Sequence, residues 1–218
     1  MDLDQAVREQ GARRVGEKLE KLLEDNPAND LAFERLHALV AGPYGLERSE
    51  NLRLRGVLRQ RALRATAVLI SSSEPGVPLV VSGTVRDGNG RPIAGVLVEV
   101  FHADTKGEYT RERAMDEPMS RLFGFMRTGA DGRYEFHTIR PGGYAHAPIP
   151  QHIHLLARAT GYEAHLCRST CQLVFADDPR MTPEWLAWAK EDGNPVLVVT
   201  TAPDGMQRGT YDFVLDTQ

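Results

Sequence analysis

The chain lacks most of the features that announce a function at first sight. It has only two cysteines in 218 residues, Cys167 and Cys171, close together in the run CRSTC. An isolated C-x3-C without a second pair is a poor zinc signature. The pair reads as reduced thiols, with a redox or disulfide role as the alternative. No apolar run approaches the ~20 residues needed to cross a bilayer, so no membrane span is expected. The net charge of -4 provides no basic field, which argues against a nucleic-acid partner. The opening MDLDQAVREQ is acidic and polar rather than charged and then apolar, so a secretory leader is not expected there and the cytoplasm is the expected location. No internal repeat is evident.

What is present divides by period. Residues 1 to about 75 read as a helical segment, and 76–218 as a β domain. Val7, Val15, Leu19, Leu22 and Leu23 recur mostly at three- and four-residue intervals between Glu and Lys, as on one helix face. A second helix is predicted from Asn29 or Asp30, either able to cap it, through Leu31, Phe33, Leu36, Leu39 and Val40 to Gly42-Pro43. Ser49 is a candidate cap for a third, NLRLRGVLRQRALRATA, which carries Arg53, Arg55, Arg59, Arg61 and Arg64. A basic helix can bind an anionic surface, but acids and bases balance across this segment, which favours a solvated or subunit-facing helix. SSSEPGVP then breaks the pattern as a linker.

From Leu79 the period becomes two. LVVSGTV, GVLVEVF, GRYEFHTI, QHIHLLARA, CQLVF, PVLVVTT and TYDFVL are short, β-branched or aromatic, and bounded by turns. Asp87-Gly88-Asn89-Gly90 and Asp131-Gly132 supply residues that tolerate the positive φ of tight hairpins. The expectation is a mostly β fold, an antiparallel β-sandwich with an N-terminal helical segment. One helix interrupts it, with Thr182 as cap, Pro183 in the first turn and EWLAWAK following.

His152-Ile153-His154 carries the most chemistry. Alternate side chains on a strand share a face, so both imidazoles project together, half of a metal site. Such a pair also occurs as a surface or hydrogen-bonded pair. Upstream, TIRPGGY ends a strand in a Pro-Gly-Gly turn and places Tyr144 at the rim, and KGEY places Tyr109 similarly after GVLVEVF. A lone tyrosine is usually half-buried packing. Two at loop mouths near a His-x-His strand suggest a tetrad of two phenols and two imidazoles.

The stretch from Val81 to about Pro179 resembles the intradiol ring-cleavage dioxygenases, the protocatechuate and catechol enzymes. The matching segments, in family order, are SGTVRDGNGRPIAGVLVEVFHADTKGEY, GFMRTGADGRYEFHTIRPGGY, PQHIH and STCQLVFADDP. The first alone is unspecific, whereas TIRPGGY followed by HIH is much more specific. The resemblance implies ferric iron as cofactor, held by Tyr109, Tyr144, His152 and His154. Phenolates are hard anionic donors that suit a trivalent cation, with imidazoles completing the set. It further implies insertion of both atoms of dioxygen into a catechol-type diol to give a muconate-type diacid. Tyr144 is then the ligand that departs and takes a substrate proton. Gln172 and Phe101 match pocket positions, and Arg127 matches a common family arginine that can equally form a structural salt bridge. A homodimer through the helical segment is implied by analogy.

The likeness fails at one point. The family line R-P-x-H-I-H places an arginine in the pocket where this chain has Ile149, followed by Pro150-Gln151-His152. The lost guanidinium would stabilise carbanionic character on the ring. His146, Arg140 and Arg158 are candidate substitutes, the last on the strand face of the histidines. The loop between Tyr144 and His152 is also short, which predicts a more open site. Two other readings remain: a transthyretin-like or carbohydrate-binding sandwich with no catalysis, and another metal held by the His pair with His102, His137 or His146.

Overall fold

The computed structural model describes residues 2–110, 116–145, 147–159, 162–163 and 171–217. It divides into two compact units, Met1–Leu63 and Arg64–Gln218. The first contains α1 (Leu3–Gln10), α2 (Ala12–Asp25), α3 (Asp30–Ala41) and α4 (Arg48–Arg61). The opening periodic stretch is broken at Gly11, whose φ of 83° lies in the left-handed region that suits glycine. Leu19, Leu23, Leu36, Leu39, Leu54 and Leu58 form the buried stripe, while Leu22 and Leu31 stay exposed. Asn29 caps α3 by accepting from the amide of Ala32. Ser49 does not cap α4; that helix begins at Arg48 without a side-chain cap and stops at Arg61, short of the predicted end. Arg53 is paired with Glu20 and Glu50, and the buried Arg55 bonds Asn51, so the basic helix spends much of its charge within the unit.

In the second unit the chain runs through β1 (Thr66–Val68), β2 (Pro78–Asp87), β3 (Leu97–His102), β4 (Leu122–Arg127), β5 (Arg133–Ile139) and β6 (His152–Arg158). It continues through β7 (Tyr162–Glu163), β8 (Cys171–Phe175), α5 (Pro183–Glu191) and β9 (Val196–Leu197). It ends with β10 (Val199–Thr201), β11 (Gln207–Thr210) and β12 (Phe213–Thr217). One sheet is ordered β1-β5-β2-β11-β10, with β12 also on β2 and β7 on β12; the other is ordered β4-β3-β6-β8-β9.

The expected purely antiparallel arrangement is not what forms. The pairs β1–β5, β2–β11, β2–β12 and β8–β9 are parallel, so both sheets are mixed. Period-two alternation encodes which face a residue occupies and carries nothing about strand direction. PVLVVTT likewise splits at the exposed Val198, with β9 joining one sheet and β10 the other. Both sheets contribute to one apolar cluster, with Leu79, Val81, Tyr134, Phe136 and Phe213 from the first and Val98, Val100, Ile153, Leu155, Leu173 and Phe175 from the second. In the second sheet those core residues alternate with Phe101, His152, His154 and Gln172, which therefore share the opposite face. Cys171 is buried on β8, and Cys167 lies outside the described residues. Among the described residues no helix is long and apolar enough to cross a membrane.

Candidate metal centre

Register brings the strand residues of the site together. Phe101 pairs with His154 on one side and Gln172 pairs with it on the other, so the three stand in a row across β3, β6 and β8. The Phe101 ring stacks on His154 with centroids 4.5 Å apart. His152 follows at the start of β6, its ring 4.9 Å from that of His154.

The tyrosines arrive on loops, and glycine lets those loops touch. After β3 the side chain of Asp104 accepts from the amides of Lys106 and Glu108 at 2.8 and 3.1 Å, forming a tight turn that ends at Tyr109. Gly107, at φ 80°, has no room for a Cβ against the carbonyl of Gly143. Gly142 donates to the carbonyl of Asp104 at 2.8 Å, and a Cβ there would overlap the carbonyl of Thr105. The Pro-Gly-Gly run thus lets the Tyr144 loop lie backbone to backbone on the Tyr109 loop. The carbonyl of Tyr109 accepts from the amide of Arg121 at 3.0 Å. That arginine bonds Glu74 at 2.5 and 2.7 Å and Asp104 at 3.0 Å.

Four donor atoms converge. The Tyr109 and Tyr144 hydroxyls hydrogen-bond each other. Tyr109 Oη stands 2.7 Å from His154 Nε2, and Tyr144 Oη stands 3.0 Å from His152 Nε2. These contacts link the two phenol oxygens and the two imidazole nitrogens in one continuous cluster. All four residues are buried. His152 Nδ1 lies 2.8 Å from the carbonyl of Pro150, which requires a proton on Nδ1 and leaves the Nε2 lone pair facing the phenol. His154 Nδ1 is buried with no partner among the described atoms.

Burial sets the charge state. Desolvation pushes Tyr144 up to about 12. Desolvation, and then the hydrogen bond to Tyr144, push Tyr109 higher still. Desolvation, and then the neighbouring His152 and His102, drive His154 down to about 3. His152 is also lowered, again by burial. The site therefore presents two protonated phenols and two neutral imidazoles near neutral pH. A cation that displaces the phenol protons would gain two anionic oxygens and two nitrogen lone pairs, a set that fits a hard trivalent metal.

Other sequence candidates fall differently. Ile149 is half-buried and packs with Ala147 and Phe101 against Ala103, Tyr109 and Tyr144, an apolar wall beside the hydroxyls. Arg140 is committed elsewhere, bonding Gln151 at 2.7 Å and Asp177 at 2.9 and 2.7 Å while lying over the Phe175 ring. Arg158 sits at the far end of β6, where it pairs with Glu99 at 3.4 Å. Arg127 bonds the carbonyl of Gly95. His146 lies outside the described residues. His102 is fully buried with both ring nitrogens engaged, at Ala103 O and Thr138 Oγ1, and His137 pairs with Glu135. Neither joins the His pair in a second metal set. Among the described residues no group of three or more His, Cys, Asp and Glu could hold a metal.

The sequence reading missed Arg180, which reaches the Tyr144 loop, and the Glu74–Arg121–Asp104 cluster under Tyr109. The Asp-x-x-Gly turn was a usable signal for Asp104. The partners of Arg121 and Arg180 are distant in sequence, and nothing local marks them.

A family model described as dioxygenase matches residues 57–217. A catechol 1,2-dioxygenase of Acinetobacter lwoffii is 39% identical over 101 residues, covering 44% of this chain and 32% of that protein. A 6-chlorohydroxyquinol 1,2-dioxygenase of Cupriavidus pinatubonensis is 31% identical over 172 residues, covering 67% and 56% respectively. Among solved structures, the dioxygenase domain of a dioxygenase–carbohydrate-binding fusion from Streptomyces sp. SirexAA-E matches at 34% identity with a TM-score of 0.53, over 72% of this chain and 90% of that one. The chain spans from 32% to 62% of the length of the first curated relatives it matches.

Proposed function

Because the chain belongs to the intradiol ring-cleavage dioxygenase family, we propose that it binds ferric iron through Tyr109, Tyr144, His152 and His154 and opens a catechol-type ring. Both atoms of dioxygen enter the diol, and the product is a muconate-type diacid. The observation that carries this reading is the convergence of two phenol oxygens and two imidazole nitrogens on one buried point. A non-catalytic binding module has no need of it.

When bound there, ferric iron supplies Lewis acidity to the diol oxygens and draws electron density from the ring so that dioxygen can attack. The protein residues do the rest. Burial holds the Tyr144 phenol up to about 12, so a substrate proton would be held firmly at its Oη. His152 is held in one tautomer by the Pro150 carbonyl, so its donor atom needs no reorganisation. Phe101 and Ile149 offer apolar surface to an aromatic ring, and Gln172 brings an amide to the same face as His154. Arg140 and Arg158 are held by carboxylates, so neither is free to receive a ring carboxylate.

The mixed sheets sharing one core are proposed as the layers of the family sandwich, and the N-terminal helical segment, expected over 1–75 but bounded at Leu63 in the structure, as a packing or dimerising segment in a homodimer. Iron-loaded protein should be wine-red from phenolate-to-iron charge transfer, and should consume one dioxygen per catechol with formation of a diacid. Colour that survives both Tyr109→Phe and Tyr144→Phe would end the phenolate assignment. A panel of catechol, protocatechuate and hydroxyquinol would identify the diol.

A further inference from the structure

We propose that Arg180 is a positioning residue for Tyr144, clamping the backbone loop that carries this tyrosine; the inference rests on Tyr144 being a metal ligand. Arg180 Nη1 donates to the carbonyl of Tyr144 and to that of Ile149, each at 3.3 Å. One guanidinium nitrogen therefore joins the two ends of the short loop that precedes His152. A planar, always-charged group can make both bonds from a fixed position.

The arginine is itself tied to the histidine strand. Asp178, which is buried, accepts from the Arg180 amide at 2.7 Å and from the Gln151 amide at 3.0 Å. One carboxylate thus registers the backbone of the clamp against the residue next to His152. Gly143 completes the arrangement. A Cβ at that position would overlap Nη1, and its nearest contacts are all atoms of the Arg180 guanidinium. The absence of a side chain at residue 143 leaves the space the guanidinium fills. Among the described residues no carboxylate pairs with this guanidinium, unlike those of Arg121 and Arg140, so its hydrogen bonds there go to the loop carbonyls. The clamp grips the backbone of Tyr144, while its hydroxyl is held separately by Tyr109 and His152.

The test uses the full chain, iron-loaded and metal-free, as wild type, Arg180→Met, Arg180→Lys, Gly143→Ala and Gly143→Ala/Arg180→Ala. With iron, Arg180→Met is expected to shift the charge-transfer band and speed iron loss to a chelator by about ten- to hundredfold, as for other residues that orient metal ligands. Arg180→Lys should recover only part of this, since an ammonium cannot reproduce the planar bridge. Gly143→Ala should displace the guanidinium and reproduce the Arg180→Met effect, yet add little once residue 180 is alanine. In metal-free protein, Arg180→Met should speed hydrogen exchange of the amides of Tyr144, Ala145, Ala147, Ile149 and Gln151 while the thermal transition stays cooperative. Wild-type spectra and iron release in Arg180→Met would overturn the clamp, as would a Gly143→Ala cost that is the same with and without the arginine. If wild type takes up no iron and shows no band, the metal reading fails; the exchange experiment still decides the clamp on the backbone.

Discussion

Tyr109, Tyr144, His152 and His154 are all buried, and that burial has consequences at the level of single side chains. His102 and His154 are held at about 4 and about 3, below the ordinary histidine value of about 6.5. Between those values the unfolded chain binds protons that the folded, metal-free protein refuses. Their contribution to stability is complete above the unfolded value and is lost as the pH falls towards the folded ones. Each histidine costs about 1.4 kcal/mol per pH unit in that window. Urea midpoints of metal-free protein should therefore drop steeply between pH 7 and pH 5, and equal midpoints would refute the neutral-imidazole state. The phenols act in the opposite direction on metal loading. Both hold their protons at neutral pH, so iron uptake should release one proton from each and weaken as pH falls. Calorimetry in buffers of different ionisation enthalpy measures that release; none at all would mean the tyrosines do not ligate. At this scale the donor residue types were legible in TIRPGGY, HIH and KGEY. Arg180 and Arg121 were not, because a guanidinium partner on a distant loop has no local pattern.

Among the elements, the loops matter more than the strands. Tyr109 hangs from a turn held by Asp104, and that turn leans on Arg121, whose side chain is 15% exposed between Glu74 and Asp104. Arg121→Met leaves two nearly buried carboxylates without their cation. It should cost about 3–5 kcal/mol in denaturant unfolding, and it should loosen iron by freeing the Tyr109 loop. A stability within experimental error of wild type would show that the cluster is ornamental. On β2, Gly83 meets the carbonyl of Tyr211 so closely that a Cβ there would overlap it, with the Tyr134 ring also near. Gly83→Ala should destabilise by about 1–3 kcal/mol through overpacking, a loss visible as a lower urea midpoint. The elements themselves were mostly recoverable from pattern, since alternation placed β2, β3, β5, β6 and β8. The split of PVLVVTT between two sheets was not, because Val196 to Thr201 has uniform β character and only its neighbours decide which sheet each half joins.

For the whole molecule, the apolar clusters beneath and beside the candidate centre consist only of residues from Arg64 onward. A chain beginning at Arg64 should therefore fold cooperatively and take up iron with the same colour; circular dichroism and absorption would check this, and an unfolded or colourless product would show that the helical unit is required. The proposed homodimer is tested by sedimentation of the full chain. Periodicity, turn residues and the order of the motifs were enough to separate a helical segment from a β domain and to single out Tyr109, Tyr144, His152 and His154 as a candidate tetrad, because those properties are local to the chain. Strand direction, the meeting of the tyrosine loops through glycine, and the capture of Tyr144 by Arg180 belong to the folded state alone. Each joins residues far apart in sequence, and such pairings are chosen by packing and hydrogen-bond satisfaction in three dimensions.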